Sequence, residues 1–253
     1  MTNPEERFIR ELEVFRTEAH SGAQFLYGYL AFNSILSGKK KALNAVSKTP
    51  LFWNTTMGAL QTAFFIVLGR IFDQDSTHNI DRLVKLAQDN MDVFSKEALA
   101  NRKRQGGVNA DESYEPTTKD FRALRKKVRK HRRVYEANYR DIRHRIYAHK
   151  EVSDAEKVQE LFSKTNIREL QSMVVFINAL YEALWQLLYN GRKPVLRPMR
   201  YSVNRMVRDR KPEWQRQSVQ ERMVGEIDDF LEVLARNVQQ GAEPGRAKKR
   251  RPG

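Results

Sequence analysis

The chain contains no cysteine. That excludes disulfides, thiol nucleophiles and thiolate metal sites, and it suits a reducing compartment, so a cytoplasmic location is expected. Histidine is scarce and scattered: five residues, no HExxH, and no carboxylate pair set beside a histidine at a helical ligand spacing. No metal and no cofactor are therefore expected. The one adjacent pair of glycines, Gly106 and Gly107, lacks the lysine and hydroxyl residue that complete a phosphate-binding loop, which disfavours ATP hydrolysis. Long apolar runs are also missing. The longest, around 63–68, is broken by Gly69 and Arg70 and is far short of the roughly 20 residues needed to cross a bilayer. The first residues, MTNPEERFIRELEVF, lack the basic-then-apolar pattern of a secretory signal. A soluble protein without a membrane partner is expected.

Negative charge is in short supply as well. Thirty-one acidic residues face 46 lysines and arginines, a formal charge of +15 over 253 residues. Such an excess favours a polyanionic partner, nucleic acid before an anionic membrane surface. Apolar residues make up 40% of the chain, enough for a real hydrophobic core.

Helix-start signals recur along the chain. Asn3-Pro4 with Glu6, Thr49-Pro50, Thr117 with Asp120, and Ser153 with Glu156 each place a capping residue before a first-turn proline or three residues before an acid. No alternating strand pattern competes. Long helices are predicted over 4–37, 50–73, 117–149 and 166–190, with shorter ones over 80–101 and 219–239. The second of the long helices, apolar around much of its circumference, is predicted to be central. The fold class is thus all-α, a helical bundle over 1–191. A flexible loop is predicted over 102–118. After Gly191 a basic extension, 192–253, has 16 basic and 8 acidic residues; one short helix and a disordered tail are expected there.

Two segments carry chemistry. The predicted helix over 117–149 runs FRALRKKVRKHRRVYEANYR from Phe121, with a sparse apolar stripe and basic residues almost everywhere else. Few acids balance them, so an anion-binding face is favoured over a merely solvated one. It ends in RDIRHRIYAHK. An imidazole moves protons near neutral pH and a guanidinium grips phosphate oxygens, so Arg143 and His149 together suffice for phosphodiester chemistry without a metal. Upstream, an aromatic-rich helix ends in Arg70, Ile71, Phe72 and Asp73. Arg70 and Asp73 stand three apart, the spacing of an ion pair that closes a helix. Trp53, Phe64, Phe65 and Phe72, at helical spacing, are assigned to core packing, and His20, His78 and His131 to structural roles.

These two segments, in this order, resemble the HEPN superfamily and its abortive-infection, AbiU-like branch. The superfamily signature is an arginine, four to six residues, then a histidine, usually with a polar residue after the arginine; Arg143, His144 and His149 fit it. The similarity spans about residues 5–190. It implies a HEPN-like bundle that forms a homodimer, placing two motifs in one cleft. It also implies a metal-independent endoribonuclease of an antiphage-defence or toxin–antitoxin system, with an antitoxin or defence-system protein as a possible partner. In the implied roles His149 moves the proton of the 2'-hydroxyl or the leaving 5'-oxygen, Arg143 stabilises the phosphorane and His144 orients them. The alternative it carries is an inactive nucleic-acid-binding or regulatory scaffold. At 100° per residue, a regular helix sets Arg145 almost above His149 and turns Arg143 away by about 120°. Arg143 thus holds the family position and Arg145 the better local geometry. RNA contacts are assigned to Arg145, Tyr147, Lys127, Lys130, Arg133 and Arg140, with Tyr147 equally suited to stacking on a base or packing in the fold.

Overall fold

The computed structural model of the chain describes residues 3–103, 112–148 and 154–240, with residues 155 and 238–240 described for their backbone alone. All regular structure among the described residues is helical. The α-helices are α1 (Pro4–Gly38), α2 (Lys40–Val46), α3 (Pro50–Phe72), α4 (Ile80–Asp89), α5 (Lys96–Lys103), α6 (Thr118–Asn138), α7 (Ala155–Ser163), α8 (Ile167–Asn190), α9 (Val203–Arg208) and α10 (Val219–Gln240). A π-helix covers Ile142–Ala148, and short 3₁₀ turns cover Met91–Phe94 and Glu213–Gln215. The fold is all-α, as the capping pattern implies.

Local chemistry sets these boundaries. Asn3 accepts from the Glu5 amide at 3.0 Å ahead of α1. Thr117 and Asp120 close a capping box on α6, the Thr117 amide donating to Asp120 Oδ2 at 2.8 Å. Ser153 lies outside the described residues, and Asp154 caps α7 by accepting from the Glu156 amide. Gly191 stops α8 in the left-handed region, φ 57°, with its N–H turned back to the carbonyls of Gln186 and Leu187. The segment predicted as one helix over 80–101 is instead α4, a 3₁₀ turn and α5; α7 follows the Ser153–Glu156 signal, and α2 and α9 had no sequence signal assigned to them.

Packing divides the chain into two units, one formed by Met1–Leu26 with Gln61–Arg200, the other by Tyr27–Leu60 with Tyr201–Gly253. The division expected from the sequence, 1–191 and 192–253, follows the chain, whereas these units are discontinuous along it. In the first unit Phe8, Leu12 and Phe15 of α1 are buried, as are Phe64, Phe65, Leu68, Ile71 and Phe72 of α3, Phe121, Leu124 and Val128 of α6, and half of the residues of α8. In the second, Phe32 and Ile35 are buried, with Ala42 and Val46 of α2, Val203, Val224 and Leu231. Residues 219–240 form 22 residues of helix there, one residue beyond the 219–239 expected in the extension.

Two expectations need correction. Helix α3 is not buried throughout: its burial is confined to Phe64–Phe72, while Leu51 and Phe52 are exposed. Helices α3 and α8 also have the length and mean hydropathy, 1.3 and 1.2, to cross a membrane, although the apolar run over 63–68 is short. Most of the apolar window of α8, 61%, is buried in the fold, as in the core helix of a packed domain.

Candidate functional site

The predicted helix over 117–149 does not run through. Helix α6 stops at Asn138, Tyr139 leaves the helical geometry (φ −126°, ψ −22°), and the motif residues Ile142–Ala148 wind as a π-helix. No proline or glycine causes the break. Tyr139 is instead drawn into the interior, where its hydroxyl donates to Glu169 Oε2 at 2.9 Å and accepts from the Asn166 amide at 3.3 Å. Burial chiefly, with Glu169 adding to it, pushes the Tyr139 pKa up. A π-helix bonds i to i+5, so the 100° arithmetic that favoured Arg145 over Arg143 does not apply to this stretch. His149 lies outside the described residues.

Arg143, released from α-helical register, reaches back to the end of α3. Its Nη1 donates to Asp73 Oδ2 at 2.8 Å. The same nitrogen lies 2.9 Å from His144 Nε2; a guanidinium has only donors, so the imidazole accepts. His144 Nε2 stands 3.4 Å from Asp73 Oδ2, and Arg140 Nε 4.0 Å from Asp73 Oδ1. Asp73 therefore bonds Arg143, with Arg140 and His144 close beside it. Asp73 is largely covered, at 11% side-chain exposure, while Arg143 and His144 keep 23% and 31%. The pair is anchored from inside and open from outside.

The Arg143 side chain passes directly over Gly69. A Cβ at that position would lie 2.6 Å from Arg143 Nε and 3.0 Å from its Cδ. Only a glycine lets the guanidinium cross the α3 backbone to reach Asp73. The contact leaves Arg143 Nε buried without a hydrogen-bond partner, a local cost for that close approach. Beneath lies Tyr135, fully buried and stacked on Phe72 with centroids 5.8 Å apart. Burial first, and the nearby Asp73 charge second, raise the pKa of its hydroxyl, which therefore stays protonated.

The ion pair expected between Arg70 and Asp73 is not formed. Arg70 turns to Glu18 at 2.9 Å, which leaves Asp73 to the motif. The turn after Asp73 is fixed by buried Asn79, whose side chain donates to the carbonyls of Gln74 and Ser76 and accepts from the Arg82 amide. Sequence reasoning left Asp73, Gly69 and Tyr135 out of the site. The RIFD segment was the available signal for Asp73; for Gly69 there was none.

The remaining candidates fall apart spatially. Tyr147 packs against Phe65 (5.6 Å, nearly parallel) and Phe162 (6.3 Å, edge-on). Arg145 is half-buried on the π-helix. Lys127, Lys130 and Arg133 are exposed along α6. Among the other histidines, His78 meets Glu11 at 2.8 Å, His20 meets Tyr181 edge-on, and His131 stacks on Phe176 at 3.8 Å. Phe64, Phe65 and Phe72 are buried, and Trp53 stacks on Phe32. Among the described residues no cluster of three or more metal-ligating side chains occurs.

What has assembled is a basic, half-open cluster in which the end of an aromatic helix supplies an acid to an arginine–histidine pair at an irregular helix end. No curated protein and no solved structure matches the chain. The model of the AbiU2 family of HEPN domains (HEPN_AbiU2) does, over residues 5–209, a span that takes in Gly69, Asp73, Arg143 and His144. By that match over most of its length, the chain belongs to the AbiU2 family of HEPN domains.

Proposed function

We propose that the protein is a metal-independent endoribonuclease of a prokaryotic antiphage-defence or toxin–antitoxin system. The observation that carries this reading is the Asp73-anchored pair of Arg143 and His144, held together yet open to solvent. Arg143 contributes a fixed positive charge where the phosphorane develops, and His144 orients the reacting groups beside it. His149 carries the proton, taking it from the 2'-hydroxyl or giving it to the departing 5'-oxygen. Attack by the 2'-oxygen on phosphorus breaks the bond to the 5'-oxygen and yields a 2',3'-cyclic phosphate and a 5'-hydroxyl. DNA, which has no 2'-hydroxyl, is not cut. The active species is a homodimer, in the cytoplasm, that pairs two such motifs; an antitoxin or another defence protein restrains it.

The test is incubation of purified protein with varied RNAs in EDTA. Cleavage to cyclic-phosphate ends, lost in both Arg143→Ala and His149→Ala, is the expected result. No cleavage of any RNA, or cleavage that survives both substitutions, overturns the reading. The pairing of Arg143 with Asp73 favours a second reading, a scaffold whose arginine is already neutralised; RNA binding without cleavage is its signature. Sedimentation equilibrium tests the homodimer, with twice the monomer mass expected.

A further inference from the structure

Helix α6 carries nine lysines and arginines against two acids, and the fold sorts them by face. Phe121, Leu124, Val128 and Tyr135 are buried. At about 100° per residue, Arg122, Lys126, Arg129 and Arg133 fall within an arc of roughly 60° on the opposite side. All four are exposed, and none has a carboxylate at ion-pair distance among the described residues. Both acids of the helix are taken: Asp120 closes the N-terminal cap, and Glu136 is held by Arg132, 3.4 Å away. Arg132, on the flank, also pairs with Asp81 of α4. Arg132 is thus neutralised on the flank, and the outer line is left bare.

The line is straight and one helix wide. Steps of three and four residues space its cations by about 4.5–6 Å over a length of roughly 17 Å, on the scale of successive phosphates in an extended strand. No aromatic side chain interrupts it, so no base is read. Past the break at Tyr139 the next exposed cation is Arg140, which approaches Asp73 at the edge of the Arg143–His144 cluster. Lys127 and Lys130, assigned to RNA from the sequence, are rotated off this arc by about 130° and 70°.

We propose that α6 is a track for one nucleic-acid strand, with consecutive phosphates on Arg122, Lys126, Arg129 and Arg133 and Arg140 passing the strand to the Arg143–His144 cluster. A single strand is the substrate class. Duplex RNA is gripped by shape across two successive minor grooves, a span of about 16 base pairs that one short line of charge does not cover. In-line attack by a 2'-hydroxyl also needs a backbone free to leave A-form geometry. That last point rests on the ribonuclease reading; the track itself is a matter of binding.

The experiment measures binding of the full chain to a labelled, mixed-sequence single-stranded DNA of about 15 nucleotides, uncut for lack of 2'-hydroxyls, by anisotropy in EDTA over a range of salt. RNA of the same sequence and its duplex are compared. Neutralising the track with Arg122→Gln, Lys126→Gln and Arg129→Gln removes three phosphate contacts, so the slope of log K against log salt flattens by about 2 and low-salt affinity falls roughly tenfold or more. Neutralising the exposed Lys40, Lys41 and Lys48 to Gln leaves the slope unchanged. Single-stranded DNA and RNA bind alike, and duplex binds more weakly. Unaltered binding in the track variant, equal losses in both variants, tighter duplex binding, or no binding by the wild type each overturns the track. If the track behaves as expected and RNA is never cut, the ribonuclease reading alone fails.

Discussion

At the scale of single residues, the site depends on a glycine as much as on its charges. Gly69 carries no chemistry, yet Arg143 reaches Asp73 only across it. A methyl there meets the flexible end of an arginine, so the helix survives and the guanidinium moves. Gly69→Ala is expected to change unfolding free energy by no more than about 1 kcal/mol while lowering RNA cleavage by about 10²-fold, the cost of a misplaced reacting group. Thermal melts and cleavage rates on one preparation check it; undiminished cleavage would show that the crossing is irrelevant. Arg143 was legible in the sequence through its spacing to His149. Asp73 was visible only as the end of RIFD and was paired on paper with the wrong partner, because helical spacing shows which residues are near along a helix and nothing about which arrive from 70 positions away.

Elements show the same division. Caps at Asn3 and Thr117 follow from local backbone hydrogen bonding and were readable as written, whereas those at Asn79, Asp154 and Ser202 on short helices were not assigned. The end of α6 was not readable, since the groups that draw Tyr139 inward, Asn166 and Glu169, belong to the start of α8. Helix α6 also carries the chain's clearest pH response. Burial holds the His131 pKa below its ordinary 6.5, outweighing its hydrogen bond to the Lys127 carbonyl. The unfolded chain therefore takes up a proton more readily than the folded one. Stability is steady above that range and declines as pH falls through about 6.5. His131→Phe, which keeps the stack on Phe176, is expected to flatten the decline; urea midpoints across pH decide it, and an unchanged slope would assign the response elsewhere.

For the whole molecule, charge and packing act separately. The +15 charge is spread over both units, whereas each unit is held by its own interior. In the second unit the extension is tied down by a network around Asp228, which is 2% exposed. Lys39 donates to it at 2.6 Å and to Glu232 at 3.0 Å, while Arg216 lies across Gly225 and reaches Asp229 at 2.9 Å. Asp228→Asn keeps the shape and removes the charge; it is expected to cost about 1.5–3 kcal/mol, the worth of hydrogen bonds to a charged group. Chemical denaturation measures this, and a wild-type midpoint would mean that the network is ornamental to stability. Seen as composition, the extension is merely basic; in the fold Lys39, from outside it, is set against its Asp228 and Glu232.

Order along the chain is enough to make it helical, to start most of its long helices, to leave it strongly basic, and to set an arginine and two histidines together near the end of its most basic helix. Those properties are set by neighbours along the chain, through backbone hydrogen bonding, side-chain periodicity and net charge. Only folding brings about the break at Tyr139, the pairing of Asp73 with Arg143 and not with Arg70, the need for a bare Gly69, and the neutralisation of some cations on α6 but not others. Each of these is a contact between residues far apart in sequence, made only when burial of apolar faces brings their helices together.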